Sequence, residues 1–432
     1  MREPNKTASA VREQPMQTAT PDGASHSAPP SRRRTFLGYL ALMGPAFVVG
    51  AWQFGPGNLT TAVQAGSRYD YTLVWVIAVS TVLMIFFTDM SVRLGIVTPT
   101  SLITSIKDHL GKWVGVLAGF GVFGITLMFS VGNAVGSGLG LSLVFGGSPV
   151  LWTVVCTAAV AFVLAFRNVY GIVEKALLAI VALMAVAFVA SAVVAQPDWY
   201  RSLEGMVPTL PAGSEILIVA LVGTNFSINA AFYTSYGIKE NGRTRADYRD
   251  ITLVDTIPGI VAPGIMTALV IMVAAAVLGQ TGGEATSIGA LASIFAPLAG
   301  PVGSMLFALG LSGAAFSSMI ANATAGGTML SDGLGRGARA GSPTARIFTG
   351  IILAFGLIIT ISFQASPVGL IVIAQSLTVL IAPLLGILIL IMANKTAVMG
   401  GLRNKWWHNL FGAIGLITII ASSLRLISTL LG

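Results

Sequence analysis

Of the 432 residues, 55% are apolar and only 9% are charged, with a mean hydropathy of +0.85. A water-soluble globule with a solvated surface could not sustain that balance, so the chain reads as a polytopic, all-α membrane protein. The net charge of +8 could suit a nucleic-acid binder, but no soluble domain of appreciable size is left over to present a basic face, which argues against such a partner.

Residues 1–35 are rich in Ser, Thr, Pro, Ala and charge and end in Ser31-Arg32-Arg33-Arg34. A segment of that composition buries too little apolar surface to offset its conformational entropy, and is expected to be a disordered cytoplasmic tail. It does not read as a cleavable signal peptide, because the first apolar run starts late and is long enough to span. From residue 36 onward, segments of roughly 20 apolar residues, the length a bilayer demands, recur about eleven times. They are centred near residues 45, 82, 130, 157, 184, 222, 267, 310, 353, 380 and 418. With the amino terminus inside, all of the 24 Lys and Arg residues except Arg68, Arg201 and Arg425 fall on the cytoplasmic side. This positive-inside bias predicts a protein of the inner (plasma) membrane with its carboxyl terminus outside.

The first span contains "VGAWQFGPGNLTTAVQAG", residues 49–66. A Pro-Gly pair there frees backbone groups that hydrocarbon cannot satisfy, so the interruption has to face protein, water or a ligand. It could be a proline kink, or the discontinuous helix of a transporter, whose half-helix ends point at a substrate near the midplane. The second alternative demands a partner five spans later. Span six reads "LIVALVGTNFSINAAFYTSYGIKENG", residues 217–242, with Thr224, Asn225, Ser227 and Asn229 clustered at its centre. Interhelical hydrogen bonding alone could account for that cluster, but two such interruptions five spans apart favour the transporter.

The stretch "PGNLTTAVQAGSRYDYTLVWVIAVSTVLMIFFTDMSVRLGIVT" resembles the first two spans of the NRAMP (natural resistance-associated macrophage protein) family. Similarity continues in "FAPLAGPVGSML" (295–306), "GLSGAAFSSMIANATAGGTMLSDG" (310–333) and "IAQSLTVLIAPLLGILILIMANKTAVMG" (373–400). The resemblance implies a LeuT-type 5+5 inverted repeat with discontinuous helices 1 and 6, working by alternating access. Repeat one would cover about 36–196, repeat two about 214–394, and an extra helix about 405–431. Family members import manganese or iron with protons. Their metal is held by an Asp and Asn of the first break, by a Met and a backbone carbonyl of the second, and in some by a Gln of span ten.

Carried onto this chain, the Asp position is Gly55 and the Asn is Asn58; the Met-Pro-His positions fall on Ser227, Ile228 and Asn229. The carbonyl donor is Thr224, and the glutamine is Gln375. The family's proton-relay carboxylates correspond to Ser130 and Asn133. The expected substrate site, Gly55, Asn58, Thr224, Ser227, Asn229 and Gln375, therefore offers neutral dipoles only. Dehydrating a dication toward the midplane without a charged ligand is costly, and without a thioether nothing favours softer transition metals. The favoured cargo on this reasoning is a small polar non-metal solute, anionic or zwitterionic, bound by amide and hydroxyl donors near half-helix N-termini. The alternatives are a divalent metal (Mn, Fe or Mg) that keeps most of its water in a remodelled site, and a non-transporting receptor or scaffold.

Asp89 in span two is a possible coupling carboxylate, although Arg93 four residues on could simply pair with it. Asp255, at the start of span seven, could be a second coupling carboxylate, but is expected at the interface, and Glu174 and Lys175 are expected at the cytoplasmic edge. His26, His109 and His408 lie in the tail or near span ends, and Cys156 is the single cysteine. No metal-spaced cluster, cofactor motif or nucleophile–base pairing is visible, so neither a cofactor nor enzymatic activity is assigned. The small residues of 310–328 read as helix-packing positions, and "GLGRGARAGS" (333–342) as a basic cytoplasmic loop without the lysine of a P-loop.

Overall fold

The computed structural model describes Tyr39, Leu42 and residues 44–166, 182–279 and 287–431. The expected disordered tail, Glu174 and Lys175 lie outside the described residues. In chain order the main helices are α1 (Pro45–Gln53), α2 (Pro56–Tyr69), α3 (Val74–Val97), α4 (Leu102–Leu110), α5 (Lys112–Phe145) and α6 (Pro149–Ala165). There follow α7 (Ala182–Ala195), α8 (Glu215–Asn225), α9 (Ile228–Glu240), α10 (Ile257–Val277) and α11 (Ala296–Gly333). The chain closes with α12 (Pro343–Ser362), α13 (Pro367–Leu377), α14 (Ala382–Asn394) and α15 (Trp406–Leu431). No strand occurs among the described residues.

Seven described stretches are long and apolar enough to cross a bilayer, and a bent pair formed by Pro367–Leu380 and Ala382–Asn394 makes an eighth. The interrupted pair α1/α2 and the shorter apolar helices α6 and α7 occupy the remaining places expected from the hydropathy. The 38-residue α11 and 34-residue α5 run to roughly 50 Å each at 1.5 Å per residue, longer than a hydrocarbon core of about 30 Å. They pack along each other and form the spine of the molecule.

Small residues set how closely the helices approach, because van der Waals contact has to replace the hydrophobic drive that lipid removes. Where α1 crosses α10, a Cβ on Gly50 would stand 1.9 Å from the Gly259 carbonyl oxygen. Backbone cannot yield as a flexible side chain can. Gly50→Ala should therefore push α1 off α10 and destabilise the fold by about 1–3 kcal/mol, read as a lowered thermal midpoint in detergent. An unchanged midpoint would refute this contact.

Candidate functional site

The first interruption follows directly from Pro56. A helix continuing through it would need the residue 56 N–H to donate to the Trp52 carbonyl, and proline has none. Gly55 is extended (φ −87°, ψ −177°) and caps α2, whose first helical position is Pro56. The Trp52 carbonyl accepts instead from Ser318 Oγ of α11, at 3.5 Å. The second interruption, Phe226-Ser227, contains no proline. Phe226 closes α8 through Val222 (2.8 Å), and the Ser227 carbonyl receives the first amides of α9, from Ala230 and Ala231. Asn225 fastens the end of α8 to α3 by donating to Ser80 Oγ (2.7 Å), Thr81 Oγ1 (2.9 Å) and the Ile77 carbonyl (3.3 Å).

The two interruptions meet. Gln53 Nε2 at the end of α1 donates to the Asn225 carbonyl at the end of α8, 3.3 Å away, and the Trp52 and Tyr233 rings pack with centroids 4.8 Å apart. A chain of neutral hydrogen bonds joins them through α11. Ser227 Oγ donates to Asn229 Oδ1 (2.9 Å), Asn229 Nδ2 to Asn322 Oδ1 (3.4 Å), and Asn322 Nδ2 to Ser318 Oγ (2.9 Å). Asn133 Nδ2 of α5 donates to the same Ser318 hydroxyl at 3.0 Å. All of these side chains are buried. A Cβ added to Gly55 would stand 3.3 Å from Ser318 Oγ and 3.5 Å from Asn133 Oδ1, so the position with no side chain faces this chain.

Of the expected site residues, Asn58 donates to Thr267 Oγ1 on α10 (2.9 Å), while its Oδ1 is buried without a hydrogen-bond partner. Gln375 is fully buried, and neither its Oε1 nor its Nε2 has a partner. Its amide is wedged against Gly57 and Gly132, where an added Cβ would come within 2.5 Å of Nε2 in either case. Trp52 Nε1 is buried and unpartnered as well. Orphaned polar atoms cost on the order of 1–3 kcal/mol apiece, so Asn58, Gln375 and Trp52 are candidates to be completed by a ligand or by water. Thr224 turns its hydroxyl back onto the Leu221 carbonyl (3.0 Å). Ser130 spends its own on the Leu127 carbonyl (2.7 Å), with its backbone against Gly356 of α12. The structure thus joins Ser227, Asn229 and Asn133 in one network beside Gly55, sets Asn58 against Thr267 and Gln375 against Gly57, and leaves Ser130 facing α12.

One expectation needs correction here. The stretch 310–328 is more than a packing surface, since it contributes Ser318 and Asn322, four residues apart and so on one face of α11; that spacing was a legible signal. Gln53 and Thr267 carry no signal in the sequence, and Asn225, one of the polar cluster of span six, ties α8 to α3. Asp255 is fully buried within the protein, in a π-helical turn at Thr252–Thr256. Its carboxylate accepts the Gly44 amide (2.8 Å) and the Ala46 amide (3.1 Å), capping α1, where the helix dipole favours negative charge. His408, near a span end, is buried with Nε2 3.6 Å from Asp89 Oδ2. Asp89 is paired with Arg93 at 2.9 Å and accepts from Tyr248 (2.8 Å).

A cavity of about 1200 Å³ reaches from Arg339, Ser342 and Arg346, at the α11–α12 connection, to Trp52 at the first break. A second, of about 10 Å³, lies beside Ser227, Asn229 and Thr378, room for no more than a water. Among the described residues, no three His, Cys, Asp or Glu side chains converge as a metal cluster would require.

Two mutually bonded broken helices, a third bent span and a chamber leading to the break define a helical membrane protein with discontinuous spans at its centre. Residues 46–429 match the family described as "Natural resistance-associated macrophage protein-like". The chain belongs to the NRAMP family of membrane transporters. It is 26% identical over 409 residues to the divalent metal cation transporter MntH of Bacillus subtilis, covering 91% of this chain and 93% of that one. The MntH of Deinococcus radiodurans is likewise 26% identical, over 91% of each. Among solved structures, the Eremococcus coleocola manganese transporter in complex with an aromatic bis-isothiourea substituted compound superposes with a TM-score of 0.76. That match has 19% identity and covers 93% of this chain and 88% of that one. MhsT in complex with L-phenylalanine gives 0.53 at 17% identity, covering 88% and 98%.

Proposed function

We propose that this protein transports a divalent cation by alternating access, and that the ion meets the neutral oxygens of the two breaks while retaining most of its water. The preference for a non-metal solute, drawn from the missing carboxylate and thioether, finds no support among the relatives, whose names specify divalent metal. The missing ligands bear on how the ion is held. An ion that stays hydrated needs hydrogen-bond acceptors more than charged ligands, and magnesium keeps its water most firmly.

The observation that carries this reading is the pair of buried, unpartnered acceptors, Asn58 Oδ1 and Gln375 Oε1. Both are oxygens, the atom type a hard cation or its waters would seek. The test is flux of manganese and of magnesium into proteoliposomes. Asn58→Ala and Gln375→Ala should each lower divalent uptake about tenfold or more without preventing folding. Saturable uptake of an amino acid or small carboxylate with no divalent flux would sink the metal reading and restore the polar-solute one.

A further inference from the structure

The chamber that leads to the break is lined, among the described residues, by Lys239, Arg339 and Arg346 against the single acid Glu240, a net charge of +2. Arg339 and Arg346 are exposed. Lys239 Nζ donates to the Thr98 carbonyl at 2.5 Å, which fixes its ammonium at the wall. The N-terminus of the 20-residue α12, capped by Ser342, opens on the same mouth and adds partial positive charge. Behind the wall the buried Asp332 accepts from Ser101, Thr104 and Tyr236, but Lys107 donates to its own backbone carbonyl, so its charge is offset locally.

We propose that this collar is an electrostatic filter, a positively biased mouth that lowers the local concentration of divalent cations in the conformation seen here. Its role toward the cargo rests on the divalent-cation reading above; the potential itself does not. A cleft with low-dielectric walls focuses the field of its lining charges. A dication feels that potential doubly, so a mouth potential that merely thins monovalent cations would exclude divalent ones far more. Divalent cations would therefore be scarce at this mouth and would enter from it slowly, while the direction of net flux stays set by the electrochemical gradients across the membrane.

The potential can be measured without knowing the cargo. Ala321 lines the chamber and is partly accessible, and Cys156, the only native cysteine, is buried. In full-length Ala321→Cys with Cys156→Ser, the rates of modification by a cationic trimethylammonium-ethyl and an anionic sulfonatoethyl methanethiosulfonate are compared, each normalised to a small free thiol. The anionic reagent should be favoured about tenfold or more at low salt. Adding Arg339→Glu and Arg346→Glu should invert the preference, and about 1 M salt should flatten it, because the Debye length falls to roughly 3 Å.

Equal normalised rates that ignore charge reversal would overturn the collar, and so would failure of either reagent to react, since the chamber would then not be open to that depth. Reversed charges should also raise manganese entry through this mouth in proteoliposomes severalfold at low salt. An inverted reagent preference without manganese flux in any variant would leave the collar standing and count against the divalent reading alone.

Discussion

Gly55→Asp is expected to raise the affinity for manganese by about 10- to 100-fold, or roughly 1.4–2.8 kcal/mol. The backbone at Gly55 is extended, a conformation open to any residue, and the position is the N-cap of α2, where aspartate is among the preferred residues. Its Cβ would sit 3.2 Å from the Trp52 carbonyl oxygen and 3.3 Å from Ser318 Oγ, close enough that both must shift by a few tenths of an ångström. The new carboxylate would supply the negative oxygen that a dehydrated dication needs. Without metal it would be a buried charge in a neutral network and would lower stability by an amount the ion restores. Manganese should therefore raise the variant's thermal midpoint more than the parent's. Calorimetric titration in detergent that finds the two affinities equal would show that the ion does not lodge beside Gly55.

Arg93→Ala should be among the most damaging single substitutions. Arg93 is 2% exposed and ties α3 to the segment 402–404: its Nε holds Asp89 (2.9 Å), Nη1 the Leu402 carbonyl (2.8 Å) and Nη2 Asn404 Oδ1 (2.9 Å). Removing it leaves the Asp89 carboxylate buried with only Tyr248 and the flank of His408 for company. Breaking a buried pair from one side costs about 3–5 kcal/mol, which should lower the thermal midpoint in detergent by roughly 5–10 °C. Arg93→Met combined with Asp89→Leu removes both charges and should recover much of the loss. If the double variant is as unstable as Arg93→Ala alone, the hydrogen bonds to Leu402 and Asn404 matter more than the ion pair. Asp89→Asn separates structure from coupling: for a purely structural carboxylate it shifts the midpoint and leaves the pH response of uptake unchanged.

Much of the architecture was legible in the chain. Spanning segments announce themselves, because a bilayer makes the same demand of every one, a run of apolar residues with no charge to bury. Pro56 marked the first break by the amide it lacks, and the polar cluster at 224–229 marked the second. The bend between α13 and α14 was missed, although Ala382-Pro383 stands at the start of α14, because one proline in an apolar run is as compatible with a straight span as with a bent one.

By itself, the sequence determined that the protein is a helical membrane transporter with two interrupted spans, and that both interruptions are bordered by uncharged residues. These properties follow from residue type and spacing along one chain. Only the tertiary structure decided which polar groups are satisfied. Asn133 and Asn58 are the same residue type and each gives its amide to a hydroxyl, of Ser318 and of Thr267, yet of the two only Asn58 is left with a buried oxygen that has no partner. Asp255 proves to be the cap of a helix more than two hundred positions earlier. Hydrogen bonds of that range depend on how two helices cross, and crossing is set by close approaches such as Gly50 on Gly259, which no local pattern encodes.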